Sequence, residues 1–172
     1  MDTSRGIVIV LATLAVGLFA GLFYSFTVGV MPGLARADDR TFVQAMQEIN
    51  VAIVNPWFML SFLGAPLLVA LACVLFLIGG NRAPLPWLAL ALVFAVATFV
   101  ITVALNIPLN DALEAARRDP AAIAAPAGPR ASFESAWVRW NNVRTLTSTA
   151  ALVFMAWALV QYGRTQTLAP GT

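Results

Sequence analysis

Hydrophobic positions in this chain gather into four nearly unbroken runs, at residues 7–30, 57–78, 87–105 and 143–162. A helix needs roughly 20 residues to cross a bilayer, so each run is long enough to span one. The first follows a single Arg5 and superficially looks like a signal peptide. At about 24 residues it exceeds the roughly 7–15 of a signal segment, and it ends without a small-x-small cleavage pattern. A retained helix is expected. Gly17 and Gly21 form a small-xxx-small pair, which suits either close helix packing or the ordinary glycine usage of membrane helices. Met31-Pro32-Gly33 predicts a helix stop.

The connections are unequal. Residues 79–86 make a tight link carrying Arg82, whereas residues 31–56 and 106–142 are long and lie on the opposite side. Within the first long connection, residues 38–54 place Phe42, Val43, Met46, Ile49 and Ile53 on one helical face, with Arg40, Gln44, Gln47 and Glu48 on the other. This is an amphipathic helix, ended by Asn55-Pro56 because the residue before proline avoids the α region. The second long connection opens with Asn106-Ile107-Pro108-Leu109-Asn110-Asp111 and a short helix to about Arg118. Residues 119–130 are rich in alanine and proline and predict a flexible linker. A helical pattern resumes near Ser132 and runs into the fourth span. At ~30 residues, or ~45 Å, that helix outgrows the hydrocarbon layer and must project from it. The expected fold is all-α and a single domain over residues 1–172. It is a four-transmembrane-helix bundle, capped at one end by an amphipathic helix and a long helical extension.

Composition narrows the chemistry. Of 172 residues, 60% are hydrophobic and only 10% charged, against about a quarter charged in soluble domains. All ten cations are arginines, scattered along the chain, with a net charge of +2. No basic stripe exists, so no nucleic-acid partner is expected; the bilayer is. The lone Cys73 allows no disulfide within the chain, and there is no histidine. Imidazole-held haem, zinc or copper and a Ser–His pair are therefore excluded, and neither metal nor cofactor is expected. Arg36, Arg40, Arg117, Arg118, Arg130 and Arg139 fall on the long-connection side; Arg5, Arg82 and Arg164 sit tight against span ends on the other. The positive-inside rule weights such short flanks. Both termini are expected to be cytoplasmic, and the location a plasma membrane if the source is bacterial.

Polar residues are costly in so apolar a chain, and here they collect at one end. Tyr24 and Ser25 close the first span, Asn50 and Asn55 precede the second, Asn106 and Asn110 follow the third, and Asn141, Asn142 and Arg144 open the fourth. Glu134, Trp137, Asn141, Arg144 and Ser148 recur at spacings of 3, 4, 3 and 4, which puts them on one helical face directed to the bundle interior. Arg144 needs a partner, with Glu48, Asp111 and Glu134 as candidates. Each residue has a purely structural reading: asparagines cap helices, arginines snorkel, and Trp57, Trp87, Trp137 and Trp140 form an interfacial belt. Taken together, the amides, one guanidinium and aromatic walls under an amphipathic helix favour a small-molecule pocket, lined by Tyr24, Asn50, Asn55, Trp137, Trp140 and Asn141. A proton-coupled exporter fits less well, because such pumps use ionisable residues at bilayer depth.

The runs Tyr24-Ser25-Phe26…Val30-Met31-Pro32, Met46-Gln47-Glu48-Ile49-Asn50…Asn55-Pro56, Asn106-Ile107-Pro108-Leu109-Asn110 and Trp140-Asn141-Asn142-Val143-Arg144-Thr145 resemble the anthrone oxygenase-like family of four-helix membrane proteins. The resemblance covers nearly the whole chain. It implies oxidation of a flat, lipophilic aromatic substrate without a cofactor, by way of a carbanion that reacts with O₂. Arg144, Asn106, Asn110 and Asn142 would stabilise the anion, and Glu48 or Asp111 would act as base. The other class left open is a non-enzymatic membrane protein, either a binder of lipophiles or an accessory subunit.

Overall fold

The structure is a computed structural model that describes residues 2–167. All regular structure among them is helical, and four helical stretches are long and apolar enough to cross a membrane. Helix α1 (Asp2–Ser25) runs through a π-helical turn (Phe26–Val30) into α2 (Met31–Leu34). Helix α3 (Asp39–Ala52) is the amphipathic segment. Then come α4 (Pro56–Ile78) and α5 (Leu85–Ile101); a second π turn (Thr102–Asn106) leads into α6 (Ile107–Ala115). A 3₁₀ turn (Ala116–Arg118), the five-residue α7 (Pro120–Ala124) and the 41-residue α8 (Ala127–Thr167) complete the chain.

Each of the four long helices packs against two others, α1 on α4, α4 on α5, α5 on α8 and α8 on α1. The core between them follows helical spacing: Ile9, Ala12, Val16, Phe19 and Phe23 form one buried stripe of α1. Small residues face it from the other three, among them Ala65 and Ala72, Ala91 and Ala95, and Ala151 and Ala158, which lets the helices approach closely. Outside, leucines and valines such as Leu14, Leu18, Leu67, Val93 and Leu146 are exposed, the surface of a multi-pass membrane protein with lipid for solvent. Gly17 and Gly21 do not make a packing seam. A Cβ on Gly17 would only reach ordinary contact with Leu152, and Gly21 has no neighbour there.

One expectation fails at a proline, and a second proline behaves in the same way for the same reason. Met31-Pro32-Gly33 does not stop the first helix, and Pro108 does not stop the third. A proline inside an α-helix lacks a donor and clashes with the carbonyl four residues back. Here the turn before each proline is widened instead. Met31 N–H reaches Phe26 O and Ile107 N–H reaches Thr102 O, each five residues back. Both helices thus stay continuous into the cap.

Residues 119–130 also depart from the flexible linker that their composition suggests. Asp119 caps α7 by accepting from Ala121 N–H at 2.9 Å, Pro120 occupies the first turn, and α8 already begins at Ala127. Alanine is the best helix former and proline is tolerated at a helix start, so the same composition builds helix once a cap is supplied.

A second apolar cluster forms the cap: Phe26, Met31, Phe42, Val43, Met46, Leu113, Phe133 and Trp137. Arg130 ties α3 to α8. It donates to Glu134, Asp39 and the carbonyls of Ala35 and Ala37, and lies over the Phe42 ring. Arg117 bridges Glu114 and Glu48 on the other flank. The α3–α4 corner is fixed by Asn55, whose Oδ1 accepts from Trp57 N–H and Phe58 N–H at 3.0 and 3.1 Å. Replacing this cap, Asn55→Ala, should cost about 1 kcal/mol and lower the thermal midpoint of the detergent-solubilised protein.

Candidate functional site

Beneath α3, where the two π turns leave the bundle, lies a cavity of about 200 Å³. Its walls are aromatic: Phe23 and Phe26 from the first helix, Phe58 and Phe62 from α4, and Trp137 from α8. The rings of Phe58 and Phe62 are stacked within 12° of parallel. Ile49, Asn50 and Ile53 come down from α3, and Thr102, Ile107 and Asn110 close the α5–α6 side. Both π turns contribute, through Phe26 and Thr102. A π turn adds a residue to the helical turn and re-aims the side chains after it, which is why such turns recur at functional sites.

Arg144 and Asn141 form the floor. Arg144 is 5% exposed, with its guanidinium carbon 4.3 Å from the Phe23 ring centre and 5.2 Å from that of Trp137. One of its terminal nitrogens donates to Asn141 Oδ1 at 3.0 Å, and its Nε is buried without a partner. Among the described residues no carboxylate lies within ion-pair distance of it. Asn141, 1% exposed, turns its amide to α1, where Nδ2 donates to Phe23 O at 3.2 Å and Thr27 Oγ1 at 3.0 Å. Asn50 also lines the cavity and buries an Nδ2 with no partner. Buried polar groups are almost always paired. Arg144 and Asn50 thus bring a cation and an amide, each with a buried nitrogen that has no partner, to the lining of one aromatic cavity.

The stripe read along the fourth helix is buried from Trp137 through Ser148. Of the residues proposed from sequence, Arg144, Asn50, Asn110, Trp137 and Asn141 come together at this cavity. Asn110 acts indirectly, its Oδ1 accepting from Trp137 Nε1 at 2.8 Å and so fixing the indole. Asn106 is fully buried but faces α8, donating to Trp137 O at 3.4 Å.

The others lie elsewhere. Tyr24 is exposed, one residue round the helix from Phe23. Asn142 is likewise about 100° from Asn141 and accepts from Thr27 on the outer side. Asn55 is spent on capping α4, and Trp140 stacks with Arg139 rather than lining the cavity. Neither candidate base reaches the site. Glu48 is bound to Arg117 at the cap surface, and Asp111 is exposed on α6. Glu134, the third candidate partner of Arg144, is taken by Arg130. Solvated carboxylates and cap arginines attract one another at the surface, while Arg144 points inward below them.

Sequence reasoning expects aromatic walls and names Trp137, but it misses the phenylalanines that build most of them. Phe19, Phe23 and Phe26, and Phe58 and Phe62, do recur at helical spacing, but aromatic residues on a membrane helix serve lipid contacts equally well. A family model described as anthrone oxygenase matches residues 58–154, more than half of the chain. That stretch holds Phe58, Phe62, Thr102, Asn110, Trp137, Asn141 and Arg144. No curated protein and no solved structure matches the chain.

Proposed function

Because the chain belongs to the anthrone oxygenase family, we propose that its cavity takes a flat aromatic ketone of the anthrone type and oxidises the methylene between its rings. The carrying observation is a buried guanidinium, without a carboxylate partner, set among aromatic rings. Loss of one methylene proton gives a delocalised anion whose charge rests largely on the ketone oxygen. Arg144 and Asn50 receive that oxygen in this reading, in a site of low dielectric where such donors act strongly. The anion adds O₂ at the former methylene carbon and, on protonation, gives a hydroperoxide. Loss of water from the hydroperoxide leaves the second ketone. One substrate and one O₂ become one quinone and one H₂O.

With Glu48 and Asp111 off the cavity, Arg144 promotes ionisation by stabilising the product anion, and the proton passes to water. The positive-inside reading puts both termini in the cytoplasm and the capped end on the far side of a plasma membrane.

The test is purified protein in lipid with anthrone under air, following quinone absorbance and O₂ uptake together. A rate above autoxidation, with one O₂ consumed per quinone, supports the proposal. Its pH profile should rise toward alkaline pH with no inflection near the carboxylate range of about 4–5, since no carboxylate serves as base. No rate above autoxidation removes the oxygenase reading for this substrate. The lack of a carboxylate at the cavity favours a second reading, a binder without turnover, which would show saturable anthrone binding and no O₂ uptake.

A further inference from the structure

The cavity's interior and its rim differ in chemistry. Only two of its lining residues are well exposed, Val54 at 68% and Ile107 at 38%, and both are apolar. Val54 lies in the turn from α3 to α4, and Ile107 opens α6 directly after the second π turn. The mouth is therefore lateral, between the corner where α3 passes into α4 and the corner where α5 passes into α6. Val54 stands just ahead of the span that starts at Pro56. Ile107 stands about 33 Å along the helix from Leu85, roughly one hydrocarbon thickness. Around these corners Trp57, Leu60 and Val103 are also exposed. The rim thus sits at the upper edge of the lipid-facing surface.

The side toward water is shut. The packed rings and chains of Phe26, Met31, Phe42, Met46, Phe133 and Trp137 lie over the bundle end. Arg130–Asp39 and Arg117–Glu48 pin α3 above them from both flanks. No ion pair spans the lateral mouth among the described residues.

We infer that the ligand reaches Arg144 sideways from the bilayer, as an uncharged compound dissolved in lipid that becomes an anion only beside the guanidinium. This rests on the reading of the cavity as a ligand site. A charged or strongly hydrated ligand would have to shed its water at Val54 and Ile107, where nothing replaces it. A neutral aromatic loses nothing at such a rim and first meets polar groups at Asn50 and Arg144. Partitioning into lipid also raises its concentration where the mouth opens.

The route can be read without any turnover. In a Cys73→Ala background, Thr102→Cys puts a thiol on the cavity wall, in protein held in lipid nanodiscs whose two faces both meet water. A lipid-borne pyrene maleimide should label it at least tenfold faster than a sulfonated, membrane-excluded maleimide. Adding Val54→Trp should slow that labelling by a similar factor, whereas Arg117→Gln in the cap should leave it unchanged. Equal labelling by the sulfonated reagent overturns the inference. So does indifference to Val54→Trp, or absence of lipid-borne labelling under conditions that label Val54→Cys. Failure here concerns the route alone, since oxygenase activity is read separately from quinone formation.

Discussion

Arg144→Met should inactivate the protein without destabilising it. A cation at the centre of a membrane helix costs roughly 2.5–3.5 kcal/mol, an upper bound for Arg144 at the opening of the fourth span, and among the described residues no carboxylate offsets it. Its compensation comes from one hydrogen bond to Asn141 and from the faces of Phe23 and Trp137, with a desolvated cation–π contact giving about 2 kcal/mol. Methionine fills similar space with no charge to bury. The thermal midpoint should therefore hold or rise, as when buried ionic groups give way to apolar ones.

The proposed reaction should move the other way. Removing a preorganised donor from a developing oxyanion typically costs about 10²–10³ in rate. A fall of that size in quinone formation is expected, together with loss of binding of an anionic anthrone analogue. Arg144→Lys keeps the charge but not the planar group that lies between Phe23 and Trp137, so its recovery should be partial. A structural arginine would behave in the opposite sense, with methionine lowering the midpoint. Stability gained as function is lost marks a residue retained for its chemistry.

The bundle was open to sequence reading because its signal is physical and coarse. Apolar runs of sufficient length have few alternatives in a chain with so little charge, and the Asp38 and Asn55 caps mark the ends of α3 and the start of α4. The burial of Trp137, Asn141, Arg144 and Ser148 followed from spacing alone. What escaped were features that depend on how one helix sits against another. Pro32 reads as a stop because a π turn leaves no pattern of its own in the sequence. Tyr24 and Asn142 read as site residues because they are polar groups at the same ends of the spans as Asn141 and Arg144. One residue along a helix is about 100° round it, enough to move each to the outside. Glu48 is a plausible base only while Arg117 is free to pair anywhere, and folding brings the two together; Asp111 is lost to the site because it lies on the exposed side of α6.

Asn141→Leu should do what Arg144→Met does not, and weaken fold and site together. The amide makes three bonds that cross from α8 to α1 or hold the guanidinium: to Phe23 O, to Thr27 Oγ1 and from Arg144. Leucine has nearly the same shape and none of these groups. Side-chain hydrogen bonds in membrane bundles contribute about 0.6–1.7 kcal/mol each, so the three sum to roughly 2–5 kcal/mol. A clear drop in midpoint is expected.

In the proposed reaction Asn141 is a positioning residue, since its Oδ1 accepts from the Arg144 guanidinium at 3.0 Å. The two changes should therefore be coupled. Once Arg144 is methionine, Asn141 has one bond fewer to lose, and Asn141→Leu should cost less than it does in the unaltered protein. A double-mutant cycle on midpoints or denaturant stabilities measures that difference, with about 0.5–3 kcal/mol expected for residues in direct contact. Strict additivity would mean that the bond at 3.0 Å carries no energy and that Arg144 is held by the aromatic rings alone. Coupling in stability should be matched in function. Asn141→Leu with Arg144 intact should retain weak anion binding, because the charge is still present although its orientation is lost. The double variant should retain none.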